Sequence, residues 1–118
     1  MAGAIQRMLA GLLLACCVPA YAADAPAGDA TRGRRHYLEF GCWQCHGTTG
    51  ASGGWQGTKL APDPLPFVAF LAQIRKPRGQ MPHYAVELLD DQAIADIHAY
   101  LRSIPAGRKA AEIDALNR

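Results

Sequence analysis

The sequence has little net charge, no internal repeat and no glycine-rich phosphate loop. Its 12 basic and 10 acidic side chains leave a balance of +2. That is too weak to argue for a nucleic-acid partner or attraction to an anionic membrane. No alternation of apolar and polar residues lasts more than a few positions, so nothing indicates a sheet. The most apolar run, Met8 to Val18, is too short to span a bilayer comfortably. At 118 residues the chain is long enough for one small domain. The class left standing is all-α.

Cysteine is scarce: Cys16, Cys17, Cys42 and Cys45. The first two lie in a stretch that reads as a secretory signal over residues 1–22. Arg7 gives a positive start, Met8 to Val18 the apolar segment, and Pro19 breaks it before the small-x-small site Ala20-Tyr21-Ala22. Leu13-Leu14-Ala15-Cys16 also resembles a bacterial lipobox, in which Cys16 would be acylated and tethered to a membrane. Both readings place the chain outside the cytoplasm. Cleavage after Ala22 leaves Cys42 and Cys45 as the cysteines of the mature chain. In an oxidising compartment a free pair would not persist, so a disulfide, a metal site or thioethers are the choices.

The pair sits in Cys42-Trp43-Gln44-Cys45-His46. Two cysteines separated by two residues and followed at once by histidine form the attachment signature of a c-type haem. One helical turn brings both sulfurs to the two vinyl groups and swings the imidazole under the iron. A thioredoxin-like redox pair would need a preceding strand and a βαβ context. A zinc site would need a fourth ligand, and His36, His83 and His98 form no spaced pair.

Around the motif the chain divides simply. Residues 23–28 are a flexible lead-in, residues 29–105 the domain, and residues 106–118 a tail that docks weakly or stays disordered. A first helix starts near Asp29, whose carboxylate caps it, and ends at Gly41. Gly33 and Tyr37 share one face, and Gly33 reads as a place where another helix crosses. Arg32, Arg34, Arg35 and Glu39 face water, as does His36. After His46 a glycine-rich loop carries Trp55, which either covers the core or donates its indole N–H to a haem propionate. A second helix over Pro66 to Arg75 shows Phe67, Phe70, Leu71 and Ile74 as an apolar stripe. With a porphyrin bound, that stripe includes a wall for it. Arg75, Lys76 and Arg78 read as a solvated turn, with propionate neutralisation and partner docking as rivals. A last helix is capped by Asp90, lined by Ile94, Ile97, Leu101 and Ile104, and stopped by Pro105. His98 falls at the surface or at a helix contact.

Met81-Pro82 lies in a non-helical stretch where periodicity does not explain a methionine. Together with Cys42-Trp43-Gln44-Cys45-His46-Gly47 and the flanking helices, it makes Gly28 to Ile104 resemble a class I monohaem cytochrome c of bacterial type. The resemblance implies an all-α cytochrome c-like fold. Three to four helices and long loops wrap one covalent haem c, and the N- and C-terminal helices cross where Gly33 and Tyr37 meet Tyr100 and Leu101. It implies His46 and Met81 as axial ligands, with His83 the rival to Met81, and Leu60 packed on the ring. Where the family commonly has Gly-Pro-x-Leu, this chain has Gly57-Thr58-Lys59-Leu60. The proline carbonyl that supports the proximal imidazole must then come from Thr58. The implied site is Cys42, Cys45, His46, Met81, Leu60, Trp55, Phe67 and Phe70, with iron held by His46 and Met81. The implied activity is periplasmic electron transfer between a dehydrogenase or respiratory complex and an oxidase or another cytochrome. The alternatives are a dedicated cytochrome subunit of a dehydrogenase, and a haem enzyme or gas sensor with an open axial position.

Overall fold

The computed structural model describes residues 25–54 and 56–116. The signal or lipobox segment with Cys16, and Trp55, lie outside the described residues. Helix α1 runs Ala30–Glu39, the single turn α2 Trp43–His46, α3 Phe67–Arg75 and α4 Asp91–Ser103. Among the described residues there is no strand, and no helix is long and apolar enough to cross a membrane. The C-terminal tail forms two 3-10 turns, Ala110–Glu112 and Asp114–Leu116.

The helix starts follow local chemistry. Asp29 accepts from the Arg32 N–H at 2.7 Å, and Asp90 accepts from the Ala93 N–H at 2.7 Å. Each satisfies an amide that the helix itself leaves unpaired. Pro66 caps α3, where its missing N–H costs nothing.

Helices α1 and α4 pack on each other. Tyr37, Ile94 and Leu101 have no exposed surface, and Leu89, Ile97 and Tyr100 are nearly as deep. Each such apolar side chain stabilises the fold by ~1.5–3 kcal/mol. The Tyr37 and Tyr100 rings lie 5.5 Å apart and tilted. At Gly33 the helices touch backbone to backbone: a Cβ there would land on the carbonyl of Asp96 and 2.8 Å from Tyr100 Cβ. The crossing expected from Gly33 and Tyr37 is thus in place, and Phe70 and Ile74 bring α3 into the same core.

Three side chains, Arg32, His36 and Arg75, differ from expectation. Arg32 does not simply face water: its Nε donates to Asp96 at 2.8 Å and its Nη2 at 3.1 Å. Asp96, 1 % exposed, also accepts from the Asp29 N–H at 2.7 Å and from Gln92 Nε2 at 3.2 Å. Burial of a carboxylate requires such pairing, and it draws Arg32 across the crossing. His36 is half-buried, its ring 6.1 Å from Phe40 and its Nδ1 3.8 Å from the Glu39 carboxylate. His98 takes the second of its two expected places, a helix contact: its Nε2 donates to the Leu65 carbonyl over 2.9 Å and its ring meets Phe67 and Phe70 of α3 edge-on. Arg75 is no solvated turn residue, since it bonds the Tyr84 carbonyl and the Asp91 carboxylate.

Two outcomes follow from the crossing. Gly33→Ala forces the helices apart and should lower stability by ~1–3 kcal/mol in thermal unfolding; an unchanged Tm would contradict the close approach. The Arg32 hydrogen bond, helped by those from Asp29 and Gln92, lowers the Asp96 carboxyl from 3.8 to about 2. A lowered carboxyl stabilises the fold above its unfolded-state value, so this contribution is complete above pH 3.8 and lost as pH falls to about 2. Asp96→Asn should therefore lower Tm at pH 7 and flatten its fall across that acid window.

Candidate functional site

The Cys42–His46 motif forms one helical turn. The His46 N–H bonds the Cys42 carbonyl at 3.0 Å, and the Gly47 N–H bonds the Trp43 carbonyl at 3.0 Å. At these spacings Cys42, Cys45 and His46 share a face. Tyr37, on α1, donates its hydroxyl to the Gly47 carbonyl at 2.6 Å, which pins the end of the turn to the core.

These residues open onto a cavity of about 700 Å³, within the ~300–1,000 Å³ usual for cofactor sites. Cys42, Cys45, His46, Leu60, Phe70, Ile74, Met81, Tyr84, Leu89 and Ile97 line it. Of the residues expected from the sequence, Cys42, Cys45, His46, Leu60, Phe70 and Met81 come together there. Phe67 does not: one turn earlier on α3, it lines a separate depression with His98, its ring edge-on to that imidazole at 5.7 Å. Trp55 lies outside the described residues, so neither of its two expected roles is placed. Ile74, from the expected apolar stripe, lines the cavity too, as do Tyr84 and Gln73, which the sequence reading does not assign to the site. Tyr84, an aromatic three residues after Met81 in a stretch without periodicity, was the available signal.

His46 is oriented by the backbone. Its Nδ1 lies 2.8 Å from the Thr58 carbonyl oxygen, so Nδ1 carries the proton and Nε2 keeps a lone pair for a metal. The carbonyl expected at this position is present although threonine replaces proline. Gly57 allows the approach: a Cβ there would meet the Cys45 carbonyl and stand 2.8 Å from His46 Nδ1.

The two cysteines are free and half-buried. Burial pushes the Cys42 thiol up to about 11, the reverse of the lowered value that makes a redox-active thiolate. Among the described residues no three His, Cys, Asp or Glu side chains gather to hold a metal ion, so the zinc reading lacks its ligands. The donors that do converge are two thiols, one oriented imidazole and one thioether around an apolar cavity. That set fits a covalent haem c.

The family described as cytochrome c oxidase, cbb3-type, subunit III matches residues 28–101. Comparison with curated proteins and with solved structures found no match. The matched span contains α1 to α4 except the last two residues of α4, together with the whole cavity lining. A cytochrome c domain of this kind implies haem c bound through its cysteines.

The Thr58 contact is open to direct measurement. In Gly57→Ala the His46 Nδ1 proton should exchange with solvent about tenfold faster in NMR spectra, the order a net hydrogen bond is worth. In Thr58→Val, which keeps the carbonyl, exchange should match the wild type. Equal protection in all three proteins would mean that the carbonyl does not hold the ring.

Proposed function

We propose that this chain, which belongs to the cytochrome c family described as cbb3-type cytochrome c oxidase subunit III, carries single electrons in the periplasm on one covalent haem c. The observation that supports this best is the convergence of Cys42, Cys45, His46 and Met81 on one apolar cavity. Bound there, haem c supplies a one-electron ferric/ferrous couple.

The chain's own residues set how that couple behaves. Cys42 and Cys45 would hold the ring by thioethers. His46, steered by Thr58, and Met81 would supply the protein's two donors to the iron, which would leave no place for oxygen, peroxide or a gas. Met81 is a soft thioether and favours the reduced state relative to a second histidine. The His46 to Thr58 bond makes the imidazole a stronger donor and moves the balance back. Leu60, Phe70 and Ile97 exclude water and disfavour the extra charge of the oxidised form. Trp43, 44 % exposed between the two cysteines, marks the face through which electrons pass to a partner. Export of residues 23–118 through the signal, or tethering at Cys16, puts the domain in the periplasm beside dehydrogenases, oxidases and other cytochromes.

The family description favours a second reading, in which the domain is an electron-delivering subunit of a respiratory complex. The same site serves either, or a dehydrogenase's dedicated cytochrome. Co-purification with a large catalytic chain distinguishes a subunit from a free shuttle.

Haem staining on a denaturing gel should be positive for the wild type and reduced or lost in Cys42→Ala and Cys45→Ala. The oxidised protein should show a methionine-to-iron charge-transfer band that Met81→Ala removes. The reduced wild type should bind carbon monoxide slowly, and Met81→Ala rapidly. Met81→His should lower the potential by a sizeable part of the ~0.8 V that axial ligation spans. Rapid carbon monoxide binding by the reduced wild type would instead support the haem enzyme or gas sensor.

A further inference from the structure

We propose that Tyr84 is a positioning residue for Met81, and that with Arg75 it clamps the Met81 segment to the segment that carries Cys42 and His46. The proposal rests on the reading that His46 and Met81 are the axial ligands.

Three consecutive residues at the end of α3 reach this loop. Gln73 Nε2 lies 3.9 Å from Met81 Sδ. The Ile74 carbonyl accepts from the Tyr84 N–H at 3.3 Å. Arg75 Nη1 donates to the Tyr84 carbonyl at 2.9 Å, and its Nη2 pairs with Asp91 at the start of α4. The Tyr84 hydroxyl donates in turn to the Phe40 carbonyl at 2.7 Å. The two rings meet edge-on at 6.3 Å. Phe40 stands two residues before Cys42, so Tyr84 joins the ends of α1 and α3 and, through Arg75, the start of α4.

Among the described residues, the flank of the loop before Met81 has no comparable hold. Arg78, Gly79 and Gln80 are exposed, and nothing stands near Gly79. On the other side Pro82 follows Met81 at once, and its fixed φ leaves little slack before Tyr84. Withdrawing the thioether therefore means breaking contacts of Tyr84. His83, exposed within the same loop, makes no contact of this kind among the described residues, so the hold falls on its neighbour.

The test uses the full chain loaded with haem c and oxidised, titrated with imidazole. An added ligand must displace Met81, so its apparent affinity rises with the fraction of loop released. Tyr84→Phe loses the bond to Phe40 and should bind imidazole about tenfold more tightly than the wild type. Arg75→Leu should shift affinity the same way, and Arg75→Lys, with a donor retained, should fall between. Arg32→Leu loosens the α1–α4 crossing elsewhere and should lower Tm while leaving imidazole affinity unchanged. The clamp is overturned when Tyr84→Phe and Arg75→Leu stay within about twofold of wild type, or when Arg32→Leu shifts affinity as far as they do. A wild type without the methionine-to-iron band removes the ligation reading and leaves the clamp to a second measurement. The backbone amide of residue 84 should then exchange about tenfold faster in Tyr84→Phe and in Arg75→Leu; exchange at the wild-type rate would overturn the clamp.

Discussion

The close approach of α1 and α4 is the constraint on which the rest of the structure depends. At Gly33 the helices meet with no side chain between them. That contact sets their angle and brings Tyr37 onto Tyr100. It also forces a solution for Asp96, whose carboxylate is sealed into the crossing and must be fully hydrogen-bonded to remain charged. Once α1 is fixed, its end delivers Phe40 and Cys42, and the Cys42–His46 turn follows. From α4, Ile97 projects into the cavity that the turn faces.

The two expected iron ligands are held by different kinds of force. His46 sits in a helical turn and is steered by a backbone carbonyl, so its placement depends little on the side chain at position 58. Met81 belongs to an irregular loop, which has no ladder of backbone bonds to define it. Its surroundings are fastened instead by the contacts of Tyr84 with Phe40, Ile74 and Arg75. The cavity thus has one wall given by secondary structure and another assembled from long-range contacts.

That division explains what could be read from the chain. Asp29, Asp90 and Pro66 announced the helix starts because capping is local. Cys42, Cys45 and His46 were legible because their chemistry depends on spacing, and Met81 because it fitted no period. Gly33 was legible as a gap in a helix face. Asp96, Arg32 and Arg75 were not, since a charged residue on a helix looks solvated until a partner from another part of the chain is brought against it. Phe67 was assigned to the wall because it shares a stripe with Phe70. The stripe is wider than the cavity, and α3 turns its first aromatic toward His98. Tyr84 carries only a faint signal, an aromatic three residues after Met81, because its partners Phe40, Ile74 and Arg75 come from other parts of the chain.

The Thr58 carbonyl, the Tyr84 contacts and the buried walls share one consequence. They would hold a group in the cavity from outside, by bonds that do not change when its charge changes. A centre that gains and loses one electron in such surroundings has little nuclear motion to complete with each transfer. Its reorganisation energy would be small, because the dipoles around it are already fixed. The rigidity that makes this small domain fold is then the same property that would let electrons enter and leave it quickly.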